Sequence, residues 1–137
     1  MEIIIREACA EDIALLVQNN MALAEETEAL HLDESVLTKG IEQALNRAEC
    51  HYFVAEISGK VVGQTMITYE WSDWRNGIIW WIQSVYVLPE TRKQGVFKSL
   101  FKHIESLARN HDQVKALRLY VMQGNSRGQN TYQSLGM

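Results

Sequence analysis

Apolar positions along the chain follow two periods, and the points where one gives way to the other mark the elements. Ile3, Ile4 and Ile5 form a short β-branched run suited to an opening strand. Glu11 and Asp12 suit the first turn of a helix, and Ile13, Leu16, Val17, Asn20, Met21 and Ala24 then recur at helical spacing. Asp33 is placed to cap a second helix reaching about Asn46, with Val36, Leu37, Ile41, Ala44 and Leu45 on its inner side. From Cys50 the period shortens. His51–Ile57 and Val61–Tyr69 are rich in β-branched and aromatic residues, and Ser58-Gly59-Lys60 between them predicts a hairpin.

A third run, Ile78–Leu88, follows the turn-like segment Ser72–Gly77 and stops at Pro89, whose fixed φ and missing donor end the pairing. Three antiparallel strands are expected. Gly95 opens a helix with Val96, Phe97, Leu100, Phe101, Ile104, Leu107 and Ala108 on one broad face. Val114–Val121 alternates as a strand, with Leu117, Leu119 and Val121 on one side and Arg118 and Tyr120 on the other, and a short helix over about 126–134 follows. The order βααβββαβα predicts an α/β fold, a mixed and mostly antiparallel sheet with flanking helices.

Length and charge refine this picture. A chain of 137 residues with a single proline and no Gly/Ser-rich linker is read as one domain over 1–137. Residues 1–60 carry four Lys/Arg against twelve Asp/Glu, whereas residues 91–118 carry seven against two. An acidic half beside a basic stretch suits a cation on one side and an anion on the other, or simply solvated helix faces. The basic stretch is short and lacks interleaved aromatics, so no nucleic-acid partner is expected. Cys9 and Cys50 lack metal-ligand spacing, His51, His103 and His111 form no ligand group, and no metal is expected. No apolar run is long enough to span a bilayer, so no membrane partner is expected and the cytoplasm is the default setting.

The segment Gln83–Lys98 carries the most chemical information. A strand runs into a loop with a glycine at the start of a helix, where main-chain N–H groups and the positive helix end converge on an anion. Arg92, Lys93 and Lys98 add positive charge. The P-loop glycines and the Lys-Ser/Thr ending are absent, as is the three-glycine dinucleotide fingerprint, which lowers nucleotide-hydrolysis and hydride-transfer readings.

Arg92-x-x-Gly95-x-Phe97 after Ser84-Val85-Tyr86-Val87 resembles the acetyl-CoA loop of the GNAT (GCN5-related N-acetyltransferase) family. Ile5-Arg6-Glu7-Ala8 with Glu11-Asp12-Ile13 is similar to that family's first strand and helix. Asn125-x-x-Gly128-x-x-x-Tyr132-x-x-Leu135-Gly136-Met137 resembles its later Asn and Tyr segment.

The resemblance implies an acetyl-CoA-dependent N-acetyltransferase acting by direct attack of a primary amine, on a small molecule or a peptide, with acetyl-CoA as cosubstrate. It implies that main-chain groups of Val85 and Val87 pair with the pantetheine arm, much as an added strand does. Arg92, Lys93, Gln94, Gly95, Val96, Phe97 and Lys98 form the pyrophosphate loop, and Asn125 contacts the cofactor arm. Tyr132 is the implied general acid for the leaving thiolate. Glu26 and Glu28 are candidates to take the amine's proton, with Glu70 as a further one. Trp71, Trp74, Trp80 and Trp81 either line a substrate pocket or pack in the core or at a subunit contact, and adjacent strand residues must face opposite sides.

Two departures from the family pattern carry expectations. Phe97 stands where the family has Gly or Ala, so its ring must turn away from the pyrophosphate and pack with Phe101. The sequence stops where family members usually continue with two more strands, so the expected fold lacks them and leaves the edge of Val114–Val121 to be covered, most simply in a homodimer. The competing reading is a non-catalytic acyl-CoA-binding or protein-interaction module.

Overall fold

Two residues with positive φ, Ser58 at 52° and Gly59 at 80°, close the central hairpin, the backbone that a two-residue connection needs to match strand twist. They join β2 (Cys50–Ile57) to β3 (Lys60–Ser72). A computed structural model of the chain describes residues 2–119. Asn125, Tyr132, the expected terminal helix and the last two residues of the expected strand Val114–Val121 lie outside the described residues.

The opening strand β1 (Ile3–Glu7) pairs antiparallel with β2, and β3 pairs antiparallel with β4 (Gly77–Val87). The antiparallel part thus has four strands rather than the expected three, because the Ile3–Ile5 run adds to the free edge of β2. β5 (Val114–Leu119) lies parallel to β4, giving the order β1-β2-β3-β4-β5. A parallel neighbour needs a crossover, and α3 (Val96–Arg109) supplies it.

Helices α1 (Ile13–Glu28) and α2 (Glu34–Ala44) cover one face of the sheet, and α3 covers the other. Asp33 caps α2 as expected, accepting from Ser35 N at 2.9 Å and Val36 N at 3.1 Å. On the α1/α2 face Leu16, Val17 and Ile41 pack on Tyr52 and Val54. On the α3 face Val96, Leu100 and Ile104 are buried against Phe53, Ile67 and Ile82, each such side chain contributing about 1.5–3 kcal/mol by leaving water. Gly63 lies directly beneath the start of α3, where an added Cβ would come within 2.7 Å of Val96 Cγ1. That close approach fixes the height of the α3 N-terminus above the sheet.

Trp80 and Trp81 face opposite sides, as alternation requires. Trp80 is buried and stacks on Tyr69 at 5.8 Å, while Arg118 sits 5.8 Å over Trp81. Three histidines pack against rings: His51 on Tyr69, His103 on Phe53 and His111 on Trp80. Trp71 and Trp74 are exposed at the β3–β4 turn.

Arg6 of β1 joins the first strand to the approach to α1. It bonds Asp12 at 2.8 and 3.0 Å and Glu56 of β2 at 2.9 Å. The guanidinium holds the Asp12 carboxyl below its usual range, against an opposing push from burial. A depressed folded-state pKa contributes stability that is present above the unfolded value and is lost as pH falls through the folded one. Stability should therefore decline as pH drops below about 4. Arg6→Met should flatten that acid limb in urea unfolding measured from pH 6 to pH 2.

Candidate functional site

β4 does not run regularly from end to end. Gln64 of β3 lies opposite Tyr86 and Met66 opposite Gln83, so β4 carries one residue more than β3 across this stretch. The extra residue is accommodated at Ser84, whose φ is 54°, a left-handed value uncommon for a residue with a Cβ. Such a bulge leaves carbonyls off the regular ladder. Gln64 Nε2 donates to Ser84 O at 3.0 Å and Thr65 Oγ1 donates to Gln83 O at 3.0 Å. Both side chains are fully buried, and Gln64 Oε1 has no hydrogen-bond partner among the described residues.

A second polar link reaches the bulge from α1. Asn20 Nδ2 donates to Leu16 O at 2.8 Å and to the Tyr52 hydroxyl at 3.2 Å. Burial pushes the Tyr52 phenol above its ordinary pKa, and hydrogen bonds with Ser84 and Asn20 partly offset that push.

The bulge changes which side chains face which way. Ile78, Trp80 and Ile82 face α3 before it, and Val85 and Val87 face α3 after it. Tyr86 is thereby turned to the α1 side, where its hydroxyl donates to Glu26 Oε2 at 2.6 Å.

Beyond β4, a 3-10 turn over Pro89–Thr91 leads to a loop with two left-handed residues, Lys93 at φ 66° and Gly95 at φ 85°. Gly95 is the N-cap of α3 and makes no side-chain cap. The first N–H groups of a helix lack intrahelical partners, and alternating backbone hands gather such groups into a concave anion site. An added Cβ at Gly95 would meet nothing within 4 Å, so the loop is open there. The residues present fit a diphosphate held mainly by the main chain.

The loop's side chains divide by direction. Lys93, Gln94 and Lys98 are exposed, and Val96 and Phe97 are buried. Phe97 packs with Phe101 at 6.3 Å, as expected, so its ring lies with the α3 core. Arg92 turns inward instead of adding to the open cationic group: its Nε donates to Val87 O at 2.9 Å, its Nη2 to Glu26 Oε1 at 2.8 Å, and its guanidinium lies 5.3 Å over the Tyr86 ring. Glu28, the last residue of α1, is exposed. Glu70 accepts from Trp81 Nε1 at 2.5 Å, well away along the sheet.

The structure thus brings Glu26 together with Val87 and Arg92, while Asn125 and Tyr132 lie outside the described residues. The sequence patterns assign no site role to Gln64, Thr65, Ser84, Tyr86 or Asn20. Their signal was present: two polar residues interrupt the apolar run of β3, and the α3-facing set skips from Ile82 to Val85, a spacing of three where alternation gives two. Among the described residues no group of three or more His, Cys, Asp or Glu could hold a metal ion.

A family model described as the acetyltransferase (GNAT) family matches residues 17–137. A thialysine N-epsilon-acetyltransferase of Bos taurus is 31% identical over 94 residues, a segment covering 63% of this chain and 54% of that protein. The chain therefore matches about half the length of this curated relative. The crystal structure of a possible acetyltransferase from Clostridium difficile 630 superposes with a TM-score of 0.91 at 44% identity, covering 100% of this chain and 91% of that one. A "predicted acetyltransferase with acetyl-CoA" from Clostridium acetobutylicum shares the fold, with a TM-score of 0.80 at 18% identity over 99% of this chain and 90% of that one.

Thr65→Val keeps the shape of the side chain and removes the donor to Gln83 O. Leaving that part-buried carbonyl without its donor should cost up to about 1–3 kcal/mol in urea unfolding. A change near zero would mean that the bulge carbonyl finds another donor.

Proposed function

The chain belongs to the GNAT acetyltransferase family, and from that premise we propose that it transfers an acetyl group from acetyl-CoA to a primary amine of a small molecule or peptide by direct attack. The observation that carries this reading is the continuous path from the β4 bulge, through Lys93 and Gly95, to the uncapped start of α3. Main-chain groups of Val85 and Val87 would hold the pantetheine arm. The N–H groups of the Arg92–Lys98 loop would hold the pyrophosphate, with the exposed Lys93 and Lys98 adding charge. Gln94 would shape the loop through its bond to Glu90 O at 3.2 Å.

Acetyl-CoA supplies an activated acyl thioester. The protein's share is then to orient it, to receive negative charge on the carbonyl oxygen and to move two protons. The Val85 N–H, next to the bulge, would donate to that oxygen as charge develops. An ammonium must lose a proton before it attacks. Glu28 is exposed, whereas both oxygens of Glu26 already accept hydrogen bonds, so Glu26 could take the proton only by giving up Tyr86 or Arg92. Asn125 and Tyr132 keep the roles that the family resemblance implies, contact with the cofactor arm and protonation of the departing sulfur.

A homodimer and a cytoplasmic setting belong to the same proposal. Leu117 and Leu119 on β5 pack against the chain's own α3 core and are only half-buried there, and what stays open on that strand is what a second subunit would cover. Cys9 and Cys50 are both free, in keeping with a reducing compartment. Sedimentation velocity that gives a monomer throughout a dilution series would remove the dimer.

Incubation with acetyl-CoA and a mixture of amines, including thialysine and lysine because of the bovine relative's name, should yield an acetylated product by mass spectrometry. Binding of coenzyme A with no turnover over a broad panel would favour the non-catalytic module. Gly95→Asp should abolish coenzyme A binding in calorimetry, since it puts a carboxylate and a strained φ into the anion loop. Tyr132→Phe should lower kcat by roughly 10- to 1,000-fold with little change in cofactor affinity.

A further inference from the structure

Glu26 is 60 residues from Tyr86 and 66 from Arg92 in the chain, yet its carboxylate meets both. Tyr86 is buried and sits one residue past the bulge pair, on β4. Arg92 is the first residue of the proposed cofactor loop, and its Nε also holds the last carbonyl of β4, Val87 O. Its guanidinium covers the Tyr86 ring. The three side chains therefore form a bracket between the end of α1, the end of β4 and the start of the loop. A fork donor fixed at both Nε and Nη2 constrains direction as well as distance.

We propose that Glu26 is a positioning residue for acetyl-CoA: through Arg92 and Tyr86 it fixes the loop backbone in its anion-binding shape, and the Arg92 side chain acts as the strut of that bracket. This rests on the acetyl-CoA reading above and assigns Glu26 a task other than proton transfer. It also gives α1 a direct hold on the cofactor loop, so that disturbance of the helix end reaches the loop through a carboxylate.

The bracket makes an unusual demand on mutagenesis. If Arg92 touched the pyrophosphate itself, removing the Glu26 charge would release the guanidinium for the ligand, and Glu26→Gln would bind coenzyme A as well as wild type or more tightly. If Arg92 is a strut, Glu26→Gln must weaken binding although Glu26 carries the same sign as the ligand.

Calorimetric titration of the whole chain with coenzyme A, for wild type, Glu26→Gln, Arg92→Met and the double variant, separates these cases. Each single substitution should weaken binding by about 5- to 10-fold, and the double variant should be no weaker than either one, the non-additivity of groups acting as a unit. Arg92→Lys should recover only part of the loss, because an ammonium cannot span Glu26 and Val87 O together. The acetyl-CoA KM should rise in step while kcat at saturation changes little. Should Glu26→Gln fail to fold, Tyr86→Phe, which removes only the hydroxyl, should weaken binding in the same direction.

Unchanged or tighter binding by Glu26→Gln beside a loss in Arg92→Met would overturn the proposal in favour of a direct phosphate contact. Unchanged binding with a lowered kcat and a shifted acid limb would return Glu26 to the role of base. A wild-type chain that binds no coenzyme A would overturn the acetyl-CoA reading together with this one, whereas wild-type binding matched by the variants sinks this one alone.

Discussion

Between Gly63 and Ile67 of β3, β4 spends one residue too many, and the sheet can tolerate this only because Gln64 and Thr65 donate to Ser84 O and Gln83 O. A fully buried carbonyl left unpaired would cost about 1–3 kcal/mol, and here two part-buried ones lie side by side. Satisfying them with consecutive residues of one strand, whose side chains leave on opposite faces, pins the bulge from above and below. The left-handed Ser84 follows from that geometry, and the bond with Tyr52, itself held by Asn20 of α1, secures it from a third direction. Everything downstream depends on the resulting change of face. In a regular strand Tyr86 would share the face of Trp80 and Ile82 and point into the α3 core. After the bulge it points to α1, and the bond to Glu26 becomes available.

The chain's uneven charge takes on a local meaning from the same step. The acidic N-terminal half and the basic stretch around the loop meet at Glu26 and Arg92, where the side chains are 34% and 22% exposed. An ion pair this wet contributes little to stability on its own account. Its consequence is geometric, because the guanidinium is also bonded to Val87 O and stacked on Tyr86. Arg6 with Asp12 and Glu56 makes a comparable junction at the other end of α1, between the first two strands and the helix start. Both ends of α1 are thus tied to the sheet by an arginine and a carboxylate, which leaves the helix little freedom to shift along the strands it covers.

Local signals carried most of the fold. The Ser58-Gly59 turn, the Asp33 cap and the stripe of α3 are each written within a few residues, and each appears where its pattern predicts, save that Leu107 of the expected α3 stripe is exposed. The mixed sheet with flanking helices follows from their order. The bracket could not be read the same way, since it joins residues more than sixty positions apart and no local period relates Glu26 to Arg92. Arg92 was therefore expected among the open cations of the loop, and its inward turn is intelligible only once α1 is laid beside β4. The bulge stands between these cases. Gln64 and Thr65 in an apolar strand, and the skipped beat from Ile82 to Val85, are visible in the sequence, but alternation averaged over eleven residues hides a single inserted one.

Phe97 shows why a motif position and its physical requirement are separable. A small residue at that place would leave room beside a bound diphosphate, yet what the proposed anion loop would need is a clear backbone approach, and the direction of the side chain decides whether bulk matters. Here residue 97 lies on the buried stripe of α3, where its ring meets Phe101, so the aromatic side chain adds apolar contact to the core beneath the helix. The residue that cannot be exchanged in this way is Gly95. Its φ of 85° is what reverses the chain into the first turn of α3, and a Cβ there would be strained even though space is open around it. The requirement for glycine in the loop is thus set by backbone hand at Gly95 and by close packing at Gly63 beneath it, and position 97 is free to serve the core.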